Sequence, residues 1–403
     1  MSPYLTAMQT LFGGDDLDPA VARALVDAML AGAVEPPRVA AVLAALRMKG
    51  QTVDELVALA ESMRAHMLTV PVRVDRQRPL FDVTGSGSPG FAPANLHTLV
   101  AFVMAAGGVR VAKQVHGGAE GRCGSSDLLE ALGVPVAVEP ARVGALVDEV
   151  GLGFLYVPVC HPGLRHVGAV RQALGFQTLF SLLGPLCNPA RPDCHLVGVS
   201  PPRAGGRVAE ALLRLGCQRA LVVCGEDGRD ELSLGARSRT WLASQGTVQR
   251  GLIDPEELGF ERLGRAALAG EGDESGDRES GCCRGISRRA CSTGGVERGG
   301  GVVVGGGAGS GGGIWAAEEL LRTGAAGKML ASYARRRWRP CRGERRLDGG
   351  VGGGAGEQER DASGVFAGGV VGVGCRVSGG CWGRTTGRRW GCFGVGGAVR
   401  GGG

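Results

Sequence analysis

Apolar residues recur at helical spacing through about the first 70 positions of the chain. Asp18 before Pro19 offers an N-cap and a proline at the first helical position. Val21, Leu25, Met29 and Leu30 then share one face until Gly32 can close the helix. The spacing predicts a second helix from near Pro37, with Val39, Val42, Leu43 and Leu46 as its stripe and Gly50 as its stop. Thr52-Val53-Asp54-Glu55 has the form of a capping box and opens a third. Stripes of this kind are core-forming faces.

The pattern then changes. Leu80–Val83 reads as a short strand, Gly85–Gly90 (GSGSPG) as a loop, and Leu96–Ala106 as a helix with Leu96, Leu99, Val100 and Val103 inward. Strand, glycine loop, helix is an arrangement that aims backbone N–H groups and a helix N-terminus at a phosphate; alone, the same residues also suit an ordinary tight turn. Leu164, Val167, Val170 and Leu174 have helical spacing and leave Arg171 at the polar edge, where a lone arginine is most simply a solvated one. Ala220–Val223 reads as a buried strand ending in CGEDGRDE. Strand ends are where an α/β fold presents metal-binding carboxylates, although an adjacent acidic pair in a loop is usually just solvated.

Composition narrows the class. A chain of 403 residues has room for one large domain and a smaller one. Its net charge of +6 does not by itself imply a nucleic-acid partner. Thirteen cysteines in so long a chain lack the dense spacing of a disulfide scaffold. The opening MSPYLTAMQTLF has neither a basic region nor an apolar run, and no segment offers the ~20 apolar residues of a membrane helix, so the expectation is a reduced, cytoplasmic protein.

Four motifs stand in one order: DVTGSG (Asp82–Gly87), GSSDLLEALG (Gly124–Gly133), HPGLRHVGAVRQALGFQTLFSLLGPLCNP (His161–Pro189) and GRDE (Gly228–Glu231). Together with LRMKGQTVDEL (Leu46–Leu56), they resemble the anthranilate phosphoribosyltransferase family. The resemblance implies an α/β fold in which a small all-helical N-terminal domain packs on a larger α/β domain with a central mixed sheet flanked by helices. Residues 1–72 would form the helical domain, completed by about 160–188. The α/β domain would span 76–270, with an echo at 316–336.

It further implies transfer of the phosphoribosyl group of phosphoribosyl pyrophosphate to the amine of anthranilate, with no protein nucleophile. Gly85, Ser86, Gly87, Asn95, Thr98 and Lys113 would bind phosphoribosyl pyrophosphate. Arg171 would receive the anthranilate carboxylate, and His161 would line the acceptor pocket or cap its helix. Asp230 and Glu231 would hold Mg2+ on the pyrophosphate, and the protein would be a homodimer. The chain departs from the family pattern at Ser86, Ser88, Pro89, His97, His116, Gly117, Gln177 and Ser181. His97 stands where the family has a magnesium-binding serine, and imidazole suits that hard cation poorly. Two other readings compete. One is a related transferase or nucleoside phosphorylase with another acceptor, the phosphorylase being disfavoured by LGPLCNP and Arg171. The other is a non-catalytic nucleic-acid or protein binding module.

Residues 271–403 are different in kind. They hold 41 of the 74 glycines and seven of the 13 cysteines, without apolar periodicity. Segments 271–313 and 338–403 read as Gly/Arg/Cys-rich and unable to build a core. Either they are frame-shifted or they form a disordered Gly/Arg tail able to touch nucleic acid. The frame-shift reading predicts that the other frames of the gene encode family-like helices across 271–313; their absence would leave the disordered tail.

Overall fold

The computed structural model describes residues 2–87, 95–118, 124–264 and 325–334. The loop departures at Ser88 and Pro89 and the two glycine-rich segments lie outside these residues. Four helices open the chain: α1 (Pro3–Phe12), α2 (Pro19–Leu30), α3 (Pro36–Lys49) and α4 (Val53–Ala65). Their ends obey local chemistry. The Asp18 carboxylate accepts the Ala20 amide at 2.8 Å, and Gly50 stops α3 with φ 81°. Thr52 Oγ1 accepts the Glu55 amide at 3.2 Å while Glu55 Oε2 accepts the Thr52 amide at 2.8 Å, the reciprocal capping box. Glu55 is fully buried, and its charge is compensated by the Leu17 amide and the Lys49 ammonium, at 2.8 and 2.9 Å. The first helix, α1, was not an element the periodicity predicted. It begins at a proline after Ser2 and buries only Ala7, Met8 and Leu11.

The sheet follows: β1 (Leu80–Gly85), β2 (Arg110–Val115), β3 (Leu152–Tyr156), β4 (Cys194–Gly198), β5 (Arg219–Gly225), β6 (Ser238–Ser244) and β7 (Thr247–Ile253). Their order is β3-β2-β1-β4-β5-β6-β7. The first five in that order run parallel, and β6 and β7 close the edge antiparallel. The sheet is therefore mixed. From β1 the chain builds outward through β2 and β3, then returns to β1's other side as β4, so the strand order reverses between β1 and β4. Ligands of open α/β sheets bind beyond the strand ends at such a reversal.

Helices α5 (Leu96–Ala106), α6 (Ser125–Ala131), α7 (Pro140–Val150), α8 (Val157–Cys160), α9 (Arg165–Leu174), α10 (Leu179–Leu186) and α11 (Gly205–Arg214) fill the connections. Val167 of α9 and Leu179, Phe180 and Leu183 of α10 share one core with α1–α4, and that core continues through α11 to Val197, Val222 and Trp241 of the sheet. A second cluster joins Val83, Val111 and Phe154 to Phe102 of α5 and to a last helix, α12 (Ala325–Ala334). There Tyr333 is 2% exposed, and its ring stands edge-on to Phe102 and Phe154 at 6.3 and 5.4 Å between centroids. Removing that ring leaves a cavity between α5 and the sheet. Tyr333→Ala is expected to cost about 3–5 kcal/mol in urea unfolding; an unchanged midpoint would mean that α12 does not dock.

Candidate active site

The sequence-predicted site residues come from β1 and its loop, β2, the start of α5 and the turn after β5, with Arg171 and His161 on the helical side. A cluster forms where the strand order reverses. At the end of β1, Gly85 faces Asp230 and His97 so closely that a Cβ there would lie 2.5 Å from Asp230 Oδ2 and 2.7 Å from His97 Cε1. At the end of β4, a Cβ on Gly198 would lie 1.6 Å from the Asp230 carbonyl oxygen. Two positions without side chains thus let the turn after β5 reach across β4 to the β1 loop. The reach ends in a bond: the Gly87 amide donates to Asp230 Oδ2 at 2.6 Å, and Gly87 holds φ 84°, a conformation that favours glycine. Ser86 ties the loop to β4, its amide donating to the Gly198 carbonyl at 2.9 Å and its Oγ accepting the Ser200 amide at 3.0 Å.

Charge is concentrated underneath. Lys113, 3% exposed on β2, donates from Nζ to the Val83 carbonyl at 2.7 Å. Burial pushes its pKa down to about 8 against the pull of Asp82 and Asp230. Asp82 is fully buried on β1, and neither carboxyl oxygen has a well-aligned hydrogen bond among the described residues. Burial raises its pKa to about 6, with Lys113 opposing. Glu231 is raised to about 7, first by burial and then by its neighbour Asp230. Two adjacent carboxylates in this state repel each other, which is the electrostatic setting a hard divalent cation relieves. No third His, Cys, Asp or Glu completes a metal-binding group among the described residues. His97 is half-buried beside them, bonded to the backbone of Asp230; burial lowers its pKa to about 4. Asn95 takes the left-handed conformation before α5, and Thr98, 1% exposed in its first turn, has an Oγ1 with no partner among the described residues.

The helical side supplies the other wall. Arg171 lies on α9 with its guanidinium 5.3 Å from the centre of the Phe180 ring, and burial lowers its pKa. It has no carboxylate partner among the described residues, and His116, whose pKa is lowered mainly by burial, lies within reach of its charge. Gln177, between α9 and α10, donates from Nε2 to the carbonyls of Ser86 (3.2 Å) and Gly87, so the helical wall is fastened to the glycine loop. His161 is 3% exposed and bonds through Nε2 to Gln114 Oε1 at 3.2 Å, while Gln114 donates to the Gly184 carbonyl at 2.7 Å. Its ring is thereby engaged between β2 and α10. Gly198 and Asp82 were not singled out from the sequence. A lone acid inside the apolar LFDV strand is the signal that marked Asp82; the contacts of Gly198 leave no trace in sequence.

Known proteins divide in the same way. Residues 5–67 match the model described as "Glycosyl transferase family, helical bundle domain", and residues 77–326 match "Glycosyl transferase family, a/b domain". An anthranilate phosphoribosyltransferase of Thermus thermophilus is 45% identical over 270 residues, covering 67% of this chain and 79% of the relative. That of Thermomicrobium roseum is 41% identical over 268 residues, 66% and 76% of the two chains. A crystal structure of anthranilate phosphoribosyltransferase from Thermus thermophilus superposes with a TM-score of 0.67 at 38% identity, covering 83% of this chain and 98% of that one. A Saccharomyces cerevisiae anthranilate phosphoribosyltransferase, in complex with PRPP and Mg, shares the fold at 20% identity and a TM-score of 0.66, over 82% and 96% of the chains.

The buried histidines give the fold a definite acid limit. His161 and His195 are held down to about 4 and about 3 from 6.5, each mainly by burial. Their folded pKa values lie below the unfolded ones, so the unfolded chain takes up protons first as the pH falls. The contribution of these two histidines is whole above about 6.5 and is lost as the pH drops towards 4, while the raised Asp82 and Glu231 carboxyls work in the opposite sense over part of that window. His161 accounts for about 3 kcal/mol of that loss. Denaturant midpoints measured between pH 7 and 4.5 should fall less in His161→Asn than in the parent. An equal fall in both proteins would contradict the neutral, buried imidazole.

Proposed function

The chain belongs to the anthranilate phosphoribosyltransferase family, and we propose that its transfer reaction runs at the β1–β4 reversal, with the helical wall carrying the acceptor. It transfers the 5-phosphoribosyl group of phosphoribosyl pyrophosphate to the amine of anthranilate and releases pyrophosphate, the second step of tryptophan biosynthesis. One observation carries the residue assignment. An amide of the glycine loop points at a carboxylate, Asp230, and the same loop is fastened through Gln177 to the wall that holds Arg171, which has no counter-ion among the described residues. Loop amides aimed at an anion can equally hold a phosphate oxygen.

In this reading the loop of Gly85, Ser86 and Gly87 lines the phosphate site with Asn95 and Thr98, whose hydroxyl has no partner among the described residues. The Gly87 amide, now on Asp230, is the loop donor that can turn to a phosphate oxygen. Lys113 offsets the phosphate charge from below, its remaining N–H groups free of the Val83 carbonyl. The anthranilate carboxylate takes two parallel hydrogen bonds from Arg171, which aims the amine at C1 of the ribose. His161 backs this wall through Gln114. As the C1–oxygen bond to pyrophosphate breaks and the nitrogen bond forms, the ribose becomes cation-like and negative charge gathers on the leaving group. Fixed donors stabilise that charge without reorganising.

Mg2+ is the ion this arrangement fits, because Asp230 and Glu231 offer the hard oxygen donors it prefers, and pyrophosphate oxygens and water would complete its shell. When bound it neutralises charge on the departing pyrophosphate. Assembly as a homodimer through the helical domain is supported by the exposed Leu5 and Phe12 on α1 and Met48 on α3. A cytoplasmic setting is supported by the unbridged thiols of Cys187, Cys194, Cys217 and Cys224 among the described residues. No helix among the described residues is long and apolar enough to cross a membrane.

Mixing the protein with anthranilate, phosphoribosyl pyrophosphate and Mg2+ tests the assignment through the loss of anthranilate fluorescence. Turnover is expected, with kcat/KM lowered on the order of 10²-fold or more in Arg171→Ala, chiefly through KM for anthranilate. Full activity in that variant would remove Arg171 from the acceptor site. No turnover from folded protein would favour a different acceptor.

A further inference from the structure

We infer that the cavity between α11 and the β6–β7 hairpin is a second anion site, built for a phosphate-bearing ligand of nucleotide size. It holds about 610 Å³ and is lined by Arg203, Arg207, Arg239, Arg250, Glu210 and Trp241, among others. None of these belongs to the glycine loop or to the wall that carries Arg171. The volume falls inside the range of small-molecule sites. Four guanidinium groups face one carboxylate across it, and they are not equally committed. Arg207 donates to the Gln51 carbonyl at 2.6 Å and to the Arg203 carbonyl at 3.2 Å. Arg239 faces Glu226 at 3.4 Å. The side chains of Arg203 and Arg250 have no ion-pair or hydrogen-bond partner among the described residues. Guanidinium forks match phosphate oxygens two at a time, which makes an arginine-lined cavity a phosphate site rather than a general cation patch.

The Trp241 indole forms part of the cavity wall, packed on the backbone of Gly205, where a Cβ would come within 2.3 Å of the ring, and placed to report on occupation of the site. Gly251 keeps the opposite strand bare. The site also touches the junction of the two domains. Arg207 binds the link between α3 and α4, and Arg203 and Arg207 line a second, small cavity that reaches Gln177 and Thr178. An occupant held by Arg203 and Arg207 therefore sits on the seam that fastens the acceptor wall.

The test uses the full chain without divalent metal, titrated with sodium triphosphate and with ATP, and followed by calorimetry and by tryptophan emission. Both probes should bind saturably; tighter ATP binding adds the flat ring to the recognised group, and equal affinity restricts it to phosphate. Trp241→Phe should abolish the emission change while calorimetric binding persists. The double variant Arg203→Glu/Arg250→Glu should bind at least tenfold more weakly and still turn over anthranilate like the parent. Unsaturable titrations overturn the proposal. So does equal affinity in the double variant, which would assign the triphosphate to the glycine loop and leave the transferase reading standing.

Discussion

The site depends on a close approach that only glycine permits. Asp230 belongs to the turn after β5 yet reaches the loop after β1, passing over β4. A Cβ at Gly198 would lie 1.6 Å from the Asp230 carbonyl oxygen and one at Gly85 2.5 Å from its carboxylate. The clash at Gly198 could not be relieved by a side-chain rotation, because the obstacle there is backbone, while at Gly85 the Asp230 carboxylate and the His97 ring would both have to move. The Gly87–Asp230 bond, the left-handed turn at Gly87 and the docking of Ser86 on β4 all follow from that clearance. The strand order that reverses between β1 and β4 supplies the crevice, and the two glycines let its walls meet.

Meeting there has an electrostatic cost. Asp82, Lys113 and Asp230 are buried together, with His97 and Glu231 half-buried beside Asp230, and burial dominates each resolved shift. Lys113 falls to about 8 while Glu231 rises to about 7, so the resting site is held close to the point at which its groups exchange protons with solvent. Such a site gains from the arrival of a cation with a polyanion, since both the acidic pair and the ammonium then find opposite charge. In the proposed reading, stability forgone in this cluster would be returned on binding of metal and pyrophosphate.

Much of this was legible in the sequence, and unevenly so. The Thr52–Glu55 box and the Asp18 cap are local chemistry, and they appear with the hydrogen bonds their spacing requires. Leu25, Met29 and Leu30 are buried as their spacing predicts, while Val21 on the same stripe is only half-buried. The mixed sheet came from family resemblance, since no run of residues specifies strand order. What sequence could not carry is contact between distant segments. Gly87 and Asp230 are 143 residues apart, and Gly198 differs from any turn glycine only by what passes over it. The acid Asp82 was visible in its apolar strand, but its meaning depends on Lys113 beside it. His97 read as a poor magnesium ligand; in the fold its ring is bonded to the Asp230 backbone, beside the acidic pair.

In the proposed reading Asp230 and the glycine loop act as one anion-and-metal site, and the transfer chemistry proposed for it stands or falls with that union. Calorimetric titration of phosphoribosyl pyrophosphate in the presence of Mg2+ probes it, comparing the parent with Asp230→Asn, which keeps the shape and an acceptor for the Gly87 amide. In the parent, binding should be saturable and should strengthen with Mg2+; in the variant, most of that Mg2+ dependence should be lost. The same Mg2+ dependence in both proteins would show that Asp230 and the loop do not form a joint site.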